Sequence, residues 1–273
     1  MTLPPVDLEL ARRLERTEGL SCAHFVDSRA RLEPGVGAER IEVAGLHAMY
    51  DGVGSPITQT FGLGVFGPFG VPEFERVEAF FTTRGATTAH ETSPFAAPAT
   101  TRLLPERGYH PIEHSVVLLR STALEPPPST GEVTVRLIDP GDSGRWARVA
   151  AEGWSSEGAG LAEFVEGIGR VTARAEGAHC FLAEREGRPI AAAGLNLNGD
   201  IALMAGASTI PSARRLGAQN ALFRARLAHA AAAGYPFAMV VTQPDSASQR
   251  NAERQGFQVM YTRTKWERPL PPA

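Results

Sequence analysis

The sequence predicts a mixed α/β fold built twice over in one chain, and three observations predict it. The first is a β-α-β unit near the C-terminal end. Asp200 to Ser208 is an apolar strand entered from the hairpin signal Asn198-Gly199. Asn220 to Ala233, rich in Ala, Leu and Arg and free of Pro and Gly, reads as a helix, and Phe237 to Val241 as a buried strand. The second is a repeat of punctuation. Gly85 and Gly108-Tyr109 recur as Gly234 and Gly256-Phe257, the second pair at an offset of 148, and each Gly-aromatic pair opens a strand closing twelve residues on, at Arg120 and Arg268. The third is the proline-stiffened stretch Leu124 to Gly131 between the halves. The expected domains are therefore 1–124, degraded, and 131–273, intact.

Taken in order, Asp7 to Arg16 is expected as a first helix and Glu18 to Val43 as mixed structure turning at Pro34-Gly35. Ile57 to Phe66 reads as a strand broken by glycines. Pro72 suits the first position of a helix to about Arg84, with Gly85 as its stop. A short strand at Thr87 to Glu91 and a helix at Ala96 to Arg107 precede the strand ending at Arg120. In the second half Val133, Val135 and Leu137 alternate as a strand, Asp142 is placed to cap a helix to Glu152, and Leu161, Phe164, Val165, Ile168 and Val171 form the stripe of another. Ala178 to Glu184 and Pro189 to Leu197 flank the turn Arg185 to Arg188. Ser246 to Gln255 is a short helix, and Phe257 to Trp266 a final strand.

Between the strand ending at Ser208 and the helix starting at Asn220 lies Thr209-Ile210-Pro211-Ser212-Ala213-Arg214-Arg215-Leu216-Gly217-Ala218-Gln219. The first turn of a helix presents unpaired N–H groups and the positive end of the macrodipole, so this turn suits an anion, and a diphosphate in particular. The pattern R-x-x-G-x-Q here, followed by S-x-x-N-x-x-x-x-G-F at Ser248, Asn251 and Gly256-Phe257, resembles the GNAT-type N-acetyltransferases. The element order over roughly 131–268 resembles theirs too. Gln219 departs from the Gly or Ala usual at the last loop position. The resemblance implies two GNAT-like domains in tandem. It implies acetyl-coenzyme A as co-substrate, held by Ser208, Thr209, Ile210, Arg214, Arg215, Leu216, Gly217, Ala218 and Gln219, with Ser248 and Asn251 against its pantetheine arm or phosphates. It also implies main-chain donors at the strand end Ala207 to Ile210 for the developing oxyanion, and acetylation of an amine of a small molecule or a peptide by direct attack in a ternary complex. Many members carry a tyrosine acid four residues before the Gly-Phe glycine, where this chain has Ala252. Tyr261 is the substitute expected, and Glu152 the base that must take a proton from an amine of pKa ~10.4. The seventh strand of the fold has no room after Arg268, so a segment of the first half is expected in its place.

In the first half Val65 to Gly70 stands where the arginine turn stands in the second, without arginines, so no coenzyme is expected there. The rival readings are a non-catalytic acyl-coenzyme A sensor or scaffold, and a nicotinamide-binding protein using Gly62-x-Gly64-x-x-Gly67. The latter fails on its context, because four residues separate the third glycine from Pro72. His110-x-x-Glu113-His114 matches a zinc-peptidase motif but falls in a β-rich run without a third ligand, so no metal is expected. The net charge of −3 and the lack of a basic cluster speak against nucleic acid. Apolar runs are too short to span a bilayer and no signal-peptide core is present, so a cytoplasmic protein is expected, with a small-molecule amine as its partner and a monomeric or homodimeric state.

Overall fold

The computed structural model describes residues 2–126, 132–156 and 160–270. Along the first half run helix α1 (Leu8–Leu32), strands β1 (Glu39–Val43), β2 (Leu46–Tyr50) and β3 (Gln59–Phe61), helix α2 (Val71–Thr82), β4 (Thr88–Thr92), helix α3 (Pro98–Glu106) and β5 (His110–Ser121). The second half adds β6 (Thr134–Leu137), helices α4 (Ser143–Glu152) and α5 (Leu161–Thr172), strands β7 (Ala178–Arg185), β8 (Arg188–Asn198) and β9 (Ile201–Thr209), helix α6 (Ala218–Ala232), β10 (Phe237–Thr242), helix α7 (Ala247–Arg254) and β11 (Gln258–Arg268). Of the linker, residues 127–131 lie outside the described residues.

The first helix runs far beyond Arg16. Beyond Arg16 it is punctuated by Thr17, Gly19, Ser21 and Cys22, which mask the helical period in the sequence. Gly19 is small for a reason: a Cβ there would lie 2.9 Å from the His47 ring on β2. Ser21 and Thr17 return their hydroxyls to carbonyls four residues back, so they do not break the helix. Asp142 does not cap α4 with its side chain; its carboxylate instead pairs with Arg136 at 2.6 Å.

The chain forms two compact units: one of residues 1–3, 119–240 and 251–258, the other of 4–118, 241–250 and 259–273. The first is called here the C-terminal unit and the second the N-terminal unit, after the half that supplies most of each. In the C-terminal unit the strand order is β6-β7-β8-β9-β10, antiparallel except for the parallel pair β9/β10. Trp146, Ala147 and Val149 of α4 pack on Cys180, Leu182 and Ala192, and the Trp146 indole donates to the Phe181 carbonyl at 3.1 Å. Arg226 of α6 is buried with no carboxylate partner among the described residues and donates instead to the Leu222 and Gly194 carbonyls, seating the helix on β8. In the N-terminal unit the order is β1-β2-β3-β4-β11-β5, with β3 and β4 paired parallel. Its core is Leu46, Leu63, Phe74, Phe81, Leu104 and Tyr109.

The repeat is visible in the hydrogen bonds. Arg107, Gly108 and Tyr109 donate to Leu103, Pro105 and Leu104; Gln255, Gly256 and Phe257 donate to Asn251, Glu253 and Ala252, each at the same offset. Gly108 and Gly256 are left-handed, at φ 83° and 85°. This is one C-cap written twice. The expected split at 124–131 nevertheless misplaces one strand. Tyr261 and Arg263 send β11 into the N-terminal unit, where Thr264 to Arg268 pair antiparallel with Thr92 to Thr88 of β4. The C-terminal unit in turn takes residues 119–121 of β5, and the next residue, Thr122, bonds through its N–H and hydroxyl to the Pro236 and Tyr235 carbonyls. A segment of the first half thus stands where the missing strand was expected.

Candidate active site

The site grows from the way β9 ends. β9 runs beside β10 only through Ala202, Leu203 and Met204. Beyond that point the register on its other side also slips: Gly194 faces Ala205 and Ala192 faces Ser208, so Gly206 and Ala207 together oppose the single residue Ala193. Gly206 sits at φ 60°, a conformation glycine adopts at little cost, and makes this bulge possible. The bulge opens a stretch of β9 whose main-chain groups have no β10 residue opposite them, and Ala205 and Gly206 are exposed.

Helix α4 braces the far end of that stretch. Ser208 is buried and its hydroxyl donates to the Ala150 carbonyl at 2.9 Å. Gly153, just past α4, lies so close that a Cβ there would come within 2.5 Å of the Ser208 side chain and 3.1 Å of the Thr209 nitrogen. The side chain of Ser208 is therefore structural. The Ile210 N–H is likewise spent, donating to the Ile190 carbonyl at 3.0 Å, so Ile210 is not the oxyanion donor that the sequence suggested.

After a short 3₁₀ turn, Pro211–Ala213, the chain extends at Arg214 and then enters the left-handed region at Arg215, φ 68°, and again at Gly217, φ 86°, the N-cap of α6. A non-glycine residue held there costs roughly 1–2 kcal/mol, which marks Arg215 as a position the loop forces. The first intrahelical bond is the Ala221 N–H to the Gly217 carbonyl, so the amides of Ala218, Gln219 and Asn220 stand ahead of the helical ladder. No acidic residue lies in this first turn and no side chain caps it. Its partial positive charge is uncompensated, with Arg215 and Leu216 exposed at the rim.

Two neighbours hold this turn. Arg214 donates from one terminal nitrogen to the Gly153 carbonyl at 3.3 Å and to the Ser156 hydroxyl at 3.1 Å. Gln219, the residue that departs from the family pattern, donates to the Thr209 hydroxyl at 2.8 Å and so ties the start of α6 to the end of β9. Its side chain is occupied within the loop. Asn220 accepts from Gln255 at 3.1 Å, which ties α6 to the residue following α7, while Asn251 accepts from Arg254 within α7. Ser248 is exposed on α7. Glu152 is exposed at the last residue of α4, one position before the glycine that binds Arg214. Gly153 and Ser156 were not singled out in the sequence; their only signal was a glycine directly following a helix.

Tyr261 requires a correction. It is 7% exposed in the N-terminal unit, its ring sits edge-on to Phe95 at 5.8 Å, and its hydroxyl donates to Glu15 Oε1 at 2.8 Å. Arg263 donates to the same oxygen at 2.8 Å. Burial and then the Glu15 carboxylate raise its hydroxyl well above the ordinary phenol range. Such a group gives up its proton poorly and is already engaged, so Tyr261 is a core residue and not the acid expected of it. Ala252, where the tyrosine of related enzymes would stand, is fully buried.

The equivalent helix start in the first half is closed. Gly70, the N-cap of α2, donates its N–H to Glu73 Oε2 at 2.8 Å, and Pro72 contributes no donor. The helix has placed its own carboxylate where an anion would bind. The zinc motif also resolves as strand, with His114 Nδ1 at 3.2 Å from the Thr264 hydroxyl, and no cluster of metal-binding side chains occurs among the described residues. No helix among the described residues is long and apolar enough to cross a membrane.

Comparisons with known proteins agree with this geometry. No curated protein matches the sequence. Among solved structures, a GCN5-related N-acetyltransferase from Kribbella flavida superposes with TM-score 0.63 at 18% identity, covering 90% of this chain and 95% of its own. A tandem GNAT protein from the clavulanic acid biosynthesis pathway superposes with TM-score 0.63 at 13% identity, covering 92% and 88%. A GCN5-related N-acetyltransferase from Sphaerobacter thermophilus gives 0.57 at 15%, covering 79% and 73%. At these identities the likeness is one of fold. Residues 146–257, which run from within α4 to the end of the α7 cap and contain the whole anion turn, match the acetyltransferase (GNAT) family.

Proposed function

We propose that the C-terminal unit binds acetyl-coenzyme A with its diphosphate on the α6 turn and transfers the acetyl group to an amine of a small molecule, by direct attack in a ternary complex. One observation carries the reading: a helix start with no carboxylate and no side-chain cap, fed by a strand that parts from its parallel neighbour after Met204. The amides of Ala218, Gln219 and Asn220 and the exposed Arg215 would take the diphosphate. The bared main chain of β9 at Ala205 to Ala207 would receive the pantetheine arm and polarise the thioester carbonyl. The bound thioester supplies the activated acetyl group and a thiolate that leaves without strong assistance, its thiol pKa being about 8.5. Glu152, exposed one residue before the Gly153 that accepts from Arg214, would relay the amine's proton to water.

A second reading, a non-catalytic acyl-coenzyme A sensor, is favoured by Ala252 and by the engagement of Tyr261 with Glu15, which leave the acid position unfilled. Both readings require coenzyme A to bind with 1:1 stoichiometry and to weaken at least tenfold in Arg215→Glu, a reversal of rim charge at an exposed residue. Thiol release from acetyl-coenzyme A across a panel of primary amines then separates them. Release that depends on the amine supports the transferase; tight binding with no release from any amine supports the sensor. No binding of coenzyme A at all overturns both.

A further inference from the structure

The N-terminal unit contains a cleft of about 650 Å³, within the range of roughly 300–1,000 Å³ usual for small-ligand sites. Leu8 and Arg12 of α1, Val65 and Phe69 of the glycine loop, Phe95, and Leu103 of α3 shape it, with small and apolar residues between them. Arg12 is the one ionisable side chain in the lining. Its Nε donates to the Val65 carbonyl at 2.9 Å, which fixes the guanidinium against the wall, and no carboxylate pairs with it among the described residues.

The glycine run dismissed as a nucleotide fingerprint is the scaffold of this wall. Gly62 is left-handed, and a Cβ on it would lie 2.3 Å from the Phe66 ring; Gly64 is likewise pressed against Thr100. The Gly64 carbonyl accepts from the Ala97 N–H at 3.1 Å and the Phe69 carbonyl from the Thr100 hydroxyl at 2.9 Å. The loop is thus locked to the start of α3. A ligand would find apolar surface and one fixed cation. It would not find a phosphate cradle, since Glu73 already occupies the α2 N-terminus.

From this lining we infer that the cleft binds a monocarboxylate with an apolar body, of the size of a medium-chain fatty acid, its carboxylate on the terminal nitrogens of Arg12 and its chain against Val65, Phe69, Phe95 and Leu103. Arginine suits a carboxylate through its planar fork, and the apolar walls reward each methylene withdrawn from water. This ligand differs in chemistry from coenzyme A, and no residue of the α6 turn belongs to the lining.

Calorimetric titration of the full chain with sodium decanoate tests it. The expected result is saturable 1:1 binding, unchanged by saturating coenzyme A, with acetate and decyltrimethylammonium at least tenfold weaker. Arg12→Gln should weaken decanoate at least tenfold while Arg12→Lys retains most of the affinity. Gly67→Leu should also abolish binding: Gly67 has ordinary backbone and nothing within 4 Å of its Cβ position, so the added side chain enters open space without disturbing the fold. Absence of saturable binding by millimolar decanoate overturns the inference. So does equal binding of the cationic amphiphile, unaltered affinity in both Arg12→Gln and Gly67→Leu, or displacement of decanoate by coenzyme A. Apart from displacement, none of these outcomes bears on whether coenzyme A binds at α6, so the two readings fail separately.

Discussion

Glu91 and His90 are neighbours on β4, and the structure pushes them in opposite directions. Burial is the first cause for both: it drives the Glu91 carboxyl up to about 7, against the opposing pull of Arg263 and Lys265, and holds the His90 imidazole down to about 3. His90 stays neutral between the Thr60 hydroxyl at 2.7 Å and the Tyr109 hydroxyl at 3.1 Å. A carboxyl raised on folding favours the native state at low pH and withdraws that support as pH rises through its folded value; a lowered imidazole withdraws it as pH falls below about 6.5. For Glu91 the window runs from 4.5 to about 7, a displacement on the order of 3 kcal/mol. Glu91→Gln should therefore match the parent at pH 4 and exceed its stability at pH 8, read as urea midpoints at both pH values; a variant less stable at pH 8 would show that Glu91 is paired rather than penalised. Gly153 makes a second argument at this scale. A methyl group within 2.5 Å of Ser208 must displace either α4 or β9. Gly153→Ala should cost about 1–3 kcal/mol by crowding and weaken coenzyme A severalfold, whereas an added methyl at a merely exposed turn would change neither thermal midpoint nor affinity.

The contrast between the two duplicated helix starts belongs to the elements. In α2 the N3 position is Glu73, which caps Gly70; in α6 the same position is Asn220, and Gly217 has no carboxylate to receive its N–H. Asn220→Glu should rebuild the α2 arrangement in α6. The helix would gain about 0.3–1 kcal/mol from a carboxylate at the positive end of its dipole, while coenzyme A would bind at least tenfold more weakly because the protein now supplies its own anion. Stability and affinity moving in opposite directions is the signature; a parallel loss of both would mean only that the helix was damaged. This difference was legible in the sequence as arginines against none, since charge near a Gly-led helix is a local property. The role of Gln219 was not, because its Thr209 partner lies ten residues back and is met only when β9 and α6 fold against each other. The length of α1 was hidden for a similar reason. Gly19 and Ser21 look like breakers until the His47 ring and the Thr17 carbonyl that they meet are known.

At the scale of the molecule the duplication could be read from glycine spacing, but the owner of the last strand could not. A strand pattern says that a segment needs a neighbour and does not say which, and the two halves, sharing one pattern of elements and caps, offer similar neighbours. The deciding groups are charged and buried. Arg263 is fully enclosed and bridges Glu15 and Glu18 of α1, and Tyr261 shares Glu15 with it. Removing one partner of such a set leaves an uncompensated charge inside, at a cost of about 3–5 kcal/mol. A chain ending at Gln258 would strip β4 of its antiparallel neighbour and leave Glu15 with neither Arg263 nor Tyr261. The N-terminal unit should then lose its cooperative transition, although the sequence removed belongs wholly to the second half. Arg263→Met in the full chain isolates the electrostatic part and should lower the urea midpoint of the same transition. Hydrogen exchange locates the effect: amides of β2, β3 and β4 should lose protection in the truncated chain while β7 and β8 keep theirs. Protection lost first from β7 and β8 would instead place β11 with the half that encodes it, and the strand exchange described here would be wrong.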